Sequence, residues 1–183
     1  DYQYNVNKAK ELLAAAGYPN GFEATLWWMP VQRPYNPNAK AMAELMQADL
    51  AKVGIKVRLV SYEWGEYLDR LRKGEHDMGL LGWTGDYGDP DNFFGNLLSC
   101  AAAGSSTARW CHKPFDDLIV KARQVSNQAE RTKLYEQAQV IFKEEAPWFT
   151  IAHSIATEIT RSNVTGYQVS PFGSHDFYGV ELK

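Results

Sequence analysis

A chain of 183 residues is the size of one ordinary domain and is long enough to bury a real core. A formal charge of −3 with no long Lys/Arg run argues against nucleic acid, whose phosphates would call for a clustered basic face. The apolar stretches are far shorter than the ~20 residues of a spanning helix, and the opening Asp1-Tyr2-Gln3 has no basic and apolar signal segment, so the expectation is an address removed or never included.

In chain order, the first expected element is a helix capped by Asn7, with Ala9, Leu12, Leu13 and Ala16 at helical spacing and Gly17 as the stop. Phe22 to Met29 reads as a strand ended by Pro30. A Pro/Asn-rich loop through Asn38 then leads into a second helix with Met42, Leu45, Met46, Leu50 and Val53 on one face, closed by Gly54. Ile55 to Val60 alternates as a strand, Trp64 to Leu71 is a short helix, and Asp77 to Trp83 is a third strand. Helices are expected over Pro114 to Val125 and Ala129 to Glu145, the latter presenting Leu134, Ala138, Ile141 and Phe142 and stopped by Pro147. Phe149 to Ile159 reads as one more strand, and the remainder is expected to be mostly irregular. Strands alternating with helices of this length predict an α/β fold, a parallel or mixed sheet flanked by helices.

Cys100 and Cys111 close a short Ala/Gly/Ser-rich loop and are the only cysteines. A disulfide is the favoured reading; on the chain-entropy model it contributes roughly 3 kcal/mol, and it implies an oxidising compartment. Metal ligation by Cys100, Cys111 and His112 competes with it, although zinc sites usually bring cysteines in closely spaced pairs. Two buried free thiols are the third possibility.

The most informative stretch is Gly82-Trp83-Thr84-Gly85-Asp86-Tyr87-Gly88-Asp89-Pro90-Asp91-Asn92-Phe93-Phe94. It ends an apolar run (Met78, Leu80, Leu81) and places Trp83 beside Asp86, which is how an α/β sheet presents a charged side chain at the mouth of a cleft. Asp86, Asp89 and Asp91 also invite a calcium loop, but Pro90 interrupts the run and no distal bidentate Glu follows. Turn and capping roles suit Asp89 and Asp91 better. Glu63 and Glu66 could imitate a glycosidase acid/base pair, a hydrolase reading that nothing else supports. The four histidines are scattered, without a ligand spacing or a nucleophile beside them.

This run resembles the ligand-binding segment of the periplasmic dipeptide-binding proteins, the peptide-specific branch of the ABC-transporter solute-binding proteins (family 5). The resemblance begins at Tyr4-Asn5-Val6-Asn7-Lys8-Ala9-Lys10-Glu11-Leu12-Leu13 with Ala16-Gly17, a pattern of the wider family. It narrows at Met29-Pro30-Val31-Gln32-Arg33-Pro34-Tyr35-Asn36-Pro37-Asn38, at Tyr62-Glu63-Trp64-Gly65-Glu66-Tyr67-Leu68 and at the cysteine pair. Similar proteins are much longer, so the resemblance implies a C-terminal third. Residues 1–160 would be most of one ligand-binding lobe of a type II, cluster C binding-protein fold, and residues 161–183 a tail returning to the other lobe.

The function implied is capture of dipeptides for import, without catalysis or cofactor. The implied partners are a permease in the inner membrane and the missing N-terminal lobe, and the implied location is the periplasm. A free dipeptide is a zwitterion, so the resemblance assigns Arg33 to its carboxylate and Asp86 to its ammonium. The planar guanidinium fork suits a carboxylate, and a short acid accepts ammonium donors. Trp83 is expected to pack on the ligand backbone, with Tyr35 and Trp64 as weaker pocket candidates. A haem or metal-chelate carrier of the same family is the alternative.

Overall fold

The computed structural model describes residues 2–183. Two compact units divide at the Gly82/Trp83 junction.

The first unit opens with α1 (Val6–Ala15), capped by Asn5 rather than Asn7. The extended backbone of Asn5 lets its carboxamide oxygen fold back to accept from the Lys8 amide at 2.9 Å, and Asn7 is already inside the helix. Next come β1 (Glu23–Trp27), α2 (Ala39–Ala51), β2 (Lys56–Val60), α3 (Trp64–Lys73) and β3 (Met78–Gly79). The strands form one wholly parallel sheet in the order β2-β1-β3, with Glu23 opposite Lys56 and Trp27 opposite both Val60 and Gly79. β3 is shorter than the expected Asp77 to Trp83 because only two residues pair, although the Leu80 amide still donates to the Trp27 carbonyl.

Leu26, Trp27, Met29, Val57, Leu71 and Leu80 make the centre of the core beneath α2 and α3. Tyr67 is fully buried and its hydroxyl lies 2.6 Å from the Leu80 carbonyl and 3.2 Å from that of Trp27. It therefore ties α3 to the C-terminal ends of β1 and β3, and burial raises its pKa. α2 turns Ala39 and Ala43 inward, with Met42, Met46, Leu50 and Val53 packed beside them. Leu45, expected on that face, is 70% exposed, since it lies two residues, about 200° of helix, beyond Ala43.

The second unit is mainly helical: α4 (Asp91–Leu97), α5 (Lys113–Gln124) and α6 (Gln128–Glu145), then a small antiparallel pair, β4 (Val164–Thr165) with β5 (Glu181–Leu182). α5 packs on α6 through Phe115, Ile119, Ala122, Leu134, Tyr135 and Ala138, and Ile141 and Phe142 join from the same face as expected. Cys100 and Cys111 are disulfide-bonded, closing the loop between α4 and α5. α6 ends at Ala146, in the left-handed region, just before Pro147.

Phe149 to Ile159 forms no strand. Phe149, Ile155 and Ile159 are 75%, 91% and 95% exposed, and the segment has no pairing neighbour among the described residues. Alternation marks a face that burial would stabilise, and a ladder forms only where a second strand meets it.

Candidate functional site

In the first unit, the segments that follow the C-terminal ends of the strands supply Arg33 (after β1), Trp64 (after β2) and Gly82 (after β3). Arg33-Pro34-Tyr35-Asn36 is a tight turn closed from both ends, the Arg33 amide donating to the Asn36 carbonyl at 3.1 Å and the Asn36 amide to the Arg33 carbonyl at 2.9 Å. Pro34, with its preset φ, suits the second position of such a turn. The Arg33 guanidinium lies over the Trp64 ring, 4.9 Å from its centroid.

Tyr35 packs on Gly82, where a Cβ would stand only 2.2 Å from the Tyr35 ring. The glycine is therefore required by close approach of the aromatic ring, not by its backbone angles. Burial raises the pKa of Tyr35 and the adjacent Arg33 charge opposes it, so the phenol stays protonated beside the guanidinium. Among the described residues of this unit no carboxylate comes within ion-pairing distance of Arg33.

At the opposite, N-terminal edge of the sheet, a cavity of about 350 Å³ is lined by Glu23, Thr25, Lys56, Arg58 and Asp77. Asp77 there is already used, accepting from the Thr25 amide and hydroxyl at 2.7 Å each, contacts that hold its carboxyl below the usual range. Glu63 and Glu66 are likewise occupied. Glu63 caps α3 at the Gly65 and Glu66 amides, and Glu66 pairs with Arg70 at 2.8 Å.

In the second unit, Asp86 and Trp83 meet on Asn92, which is 1% exposed. The Asn92 Oδ1 accepts from the Trp83 indole Nε1 at 2.8 Å and from the Asp86 amide at 3.0 Å, while its Nδ2 donates to Asp86 Oδ2 at 3.0 Å. Trp83 is 40% exposed with its polar edge turned inward. Asp86 is exposed and has no cation within ion-pairing distance in its own unit.

Its acidic neighbours are built differently. Asp89 takes a two-pronged contact from Arg131 at 2.7 and 3.0 Å and also accepts from the Asp91 amide, so its carboxyl is held below the ordinary range chiefly by Arg131. Asp91, the first residue of α4, pairs with Arg123 at 2.7 Å. Both acids thus anchor the loop to α5 and α6.

The structure therefore puts Arg33, Tyr35 and Trp64 together on the first unit, and Trp83 with Asp86 on the second. Sequence reasoning missed Asn92 and the Gly82–Tyr35 contact. The available signal for Asn92 was an amide in the first turn of a helix, six residues after a predicted site acid.

A parallel α/β unit with aromatic and charged groups beyond its strand ends, followed by a disulfide-closed helical unit, has the features of a binding protein. The family model described as bacterial extracellular solute-binding proteins, family 5 Middle, matches residues 1–105. The chain belongs to that family. It is 54% identical to the dipeptide-binding protein of Escherichia coli (strain K12) over 185 residues, covering 100% of this chain and 35% of that protein. It is 50% identical to heme-binding protein A of Haemophilus influenzae (strain Rd KW20), covering 100% of this chain and 34% of the relative. Among solved structures, the dipeptide binding protein from Pseudoalteromonas sp. SM9913 in complex with Met-Leu superposes with a TM-score of 0.88 at 42% identity, over 98% of this chain and 36% of that one. The chain thus spans about a third of the length of these relatives. Among the described residues no helix is long and apolar enough to cross a membrane.

Proposed function

We propose that these residues are part of the substrate-binding component of an ABC transporter, one that captures dipeptides by their charged termini for import. Arg33 receives the ligand carboxylate, Asp86 its ammonium, and the Trp83 ring packs on the backbone between them; Tyr35 and Trp64 set the position of Arg33. The observation that carries this reading is the contrast in how charges are held. Asp89 and Asp91 have arginine partners, whereas Arg33 and Asp86 are each oriented by neutral groups of their own unit. A charge held by neutral groups keeps its full attraction for a charged ligand.

The protein is a carrier rather than an enzyme. Residues 1–160 belong to one ligand-binding lobe, and residues 161–183 return to the other lobe, supplied by the part of the longer relatives that this chain does not span. Closure of two lobes excludes water from the charged groups, and the closed form docks on a permease of the inner membrane. The periplasm suits the disulfide.

Calorimetry on the full-length protein with di-, tri- and tetrapeptides tests this. Dipeptides should bind most tightly, and N-acetylated or C-amidated dipeptides should lose most of their affinity. Equal affinity for blocked and free dipeptides would remove the terminus-reading mechanism. A haem carrier is the second reading, favoured by the 50% identity to heme-binding protein A. A saturable Soret shift on haem titration, competed by dipeptide, would place both ligands in one site.

A further inference from the structure

We infer that Asn92 is the residue that suits this patch to an ammonium, by taking up the Trp83 indole and Asp86 amide hydrogens and fixing which oxygen of Asp86 meets the ligand. This deepens the dipeptide reading and rests on it.

A patch suited to a cationic amino end should offer acceptors and withhold donors. Three polar hydrogens of this constellation are committed internally. The indole hydrogen of Trp83 and the amide hydrogen of Asp86 both go to Asn92 Oδ1, and Asn92 Nδ2 gives a hydrogen to Asp86 Oδ2. The first amides of α4 are used as well: Asp91 donates to the Asp89 carboxylate, Asn92 to the Asp89 carbonyl, and Phe93 and Phe94 to the Pro90 carbonyl. The start of that helix therefore has no donors left to attract an anion. Asp86 Oδ1 has no partner within this constellation, and the Trp83 indole presents its face while its polar edge points away from solvent.

One carboxamide does two jobs only because its acceptor and its donor end differ. The oxygen collects two N–H groups and the nitrogen steadies the acid without neutralising it. An arginine or lysine at this position would pair with Asp86 and remove its charge, as Arg131 and Arg123 do for Asp89 and Asp91. Aspartate would set two carboxylates 3.0 Å apart. Asn92 takes one lone pair of Oδ2, so Oδ1 is the carboxylate oxygen left wholly open to a ligand. That geometry serves an ammonium, a point-like donor, and leaves a guanidinium-type fork a second acceptor already shared with Asn92. Asn92 is thus a positioning residue for specificity, buried away from the ligand itself.

The test uses the full-length protein and three forms of one dipeptide: free, N-acetylated (charge deleted) and N-amidinated (charge kept, forked donors). In Asn92→Ala the free dipeptide should lose roughly tenfold in affinity, the size expected for a misplaced hydrogen bond to a charged group, and the acetylated form should be unchanged. The preference for free over amidinated ligand should shrink, since Asp86 can then turn both oxygens outward. Equal weakening of all three ligands, or no change, would overturn the inference and leave Asn92 a packing residue. Asp86→Asn separates this from the underlying reading: if that variant still prefers free over acetylated dipeptide, the terminus-reading proposal itself fails. Should Asn92→Ala not fold, NMR of the wild type decides. The Trp83 indole N–H should exchange slowly and keep its chemical shift when free dipeptide is added, whereas exchange at the rate of an exposed indole, or transfer of that hydrogen to the ligand, would overturn the inference.

Discussion

The turn that carries Arg33 and the loop that carries Asp86 solve one problem with different materials. Each must fix an ionised side chain without neutralising it. On the first unit an indole face and a phenol, seated on a glycine, flank a guanidinium. On the second unit a buried carboxamide grips one carboxylate oxygen. The difference follows from the ions. A guanidinium is flat, delocalised and weakly hydrated, so aromatic surfaces orient it well, while a carboxylate is strongly hydrated and needs a directional N–H donor. A few residues beyond Asp86, Asp89 and Asp91 are fixed by arginines instead, which steadies the backbone and spends their charge.

The largest expected effect comes from removing either of the two neutrally held charges. In the full-length protein, Asp86→Asn and Arg33→Met should each weaken dipeptide binding by roughly 2–5 kcal/mol, because the ligand's own charge is then enclosed and unpaired. Thermal unfolding should barely change, since neither side chain makes an ion pair among the described residues of its unit. Calorimetry checks the first statement and a melting curve the second. A large drop in melting temperature with unchanged affinity would reverse the assignment.

The arginine-held acids should behave in the opposite way. Arg131→Met should destabilise the second unit by ~1 kcal/mol or more, the upper end for exposed pairs, since the contact is two-pronged and partly shielded. Its effect on affinity should be small. The pH dependence has a definite sign. The Asp89 carboxyl is depressed in the folded state, so its contribution is fully present above the ordinary carboxylate value near 4 and is lost as pH falls through the lower folded value. Acid titration followed by circular dichroism should therefore show a smaller loss of stability below about pH 4 in Arg131→Met than in the wild type. Asp77, depressed by its two Thr25 contacts, gives the first unit the same direction of acid sensitivity.

Much of this arrangement was readable from residue order. Hydrophobic period and stop residues located the longer helices and the first two strands, because those elements bury a face against neighbours within their own unit. Phe149 to Ile159 failed for the converse reason: its alternation is real, yet no pairing strand exists among the described residues. Resemblance of motif singled out Arg33, Asp86 and Trp83, but it could not say what holds them. Asn92 reads as one more polar residue at a helix start, and its role depends on a side chain reaching back to a loop six residues earlier. Gly82 lies within the expected third strand, and only the position of the Tyr35 ring shows why it has no side chain.

A smaller effect should come from the seat beneath Arg33. Gly82→Ala would put a methyl group 2.2 Å from a Tyr35 ring carbon, so the ring must shift, and with it the phenol beside the guanidinium. Arg33 itself keeps its charge and its tight turn. The expected outcome is a loss of about 1 kcal/mol in dipeptide affinity, comparable with the net worth of one hydrogen bond, confined to ligands with a free carboxylate. Amidated dipeptides should bind the variant and the wild type alike.

Trp64→Leu is the smallest perturbation and the sharpest test of aromatic support. It keeps an apolar side chain at the start of α3 but removes the π face that lies 4.9 Å from the Arg33 guanidinium. A cation–π contact of this kind contributes roughly 0.5–1 kcal/mol where solvent reaches it, and more once desolvated. In the isolated chain, therefore, the substitution should alter stability by little. In the full-length protein, lobe closure would dry the same contact, so the loss of dipeptide affinity should exceed the loss of stability seen in the isolated chain. Calorimetry of the full-length variant beside thermal unfolding of the isolated chain measures that difference. If the two losses are equal, the indole only packs, and the comparison between an aromatic seat for the cation and an amide seat for the anion must be redrawn with Tyr35 alone beside Arg33.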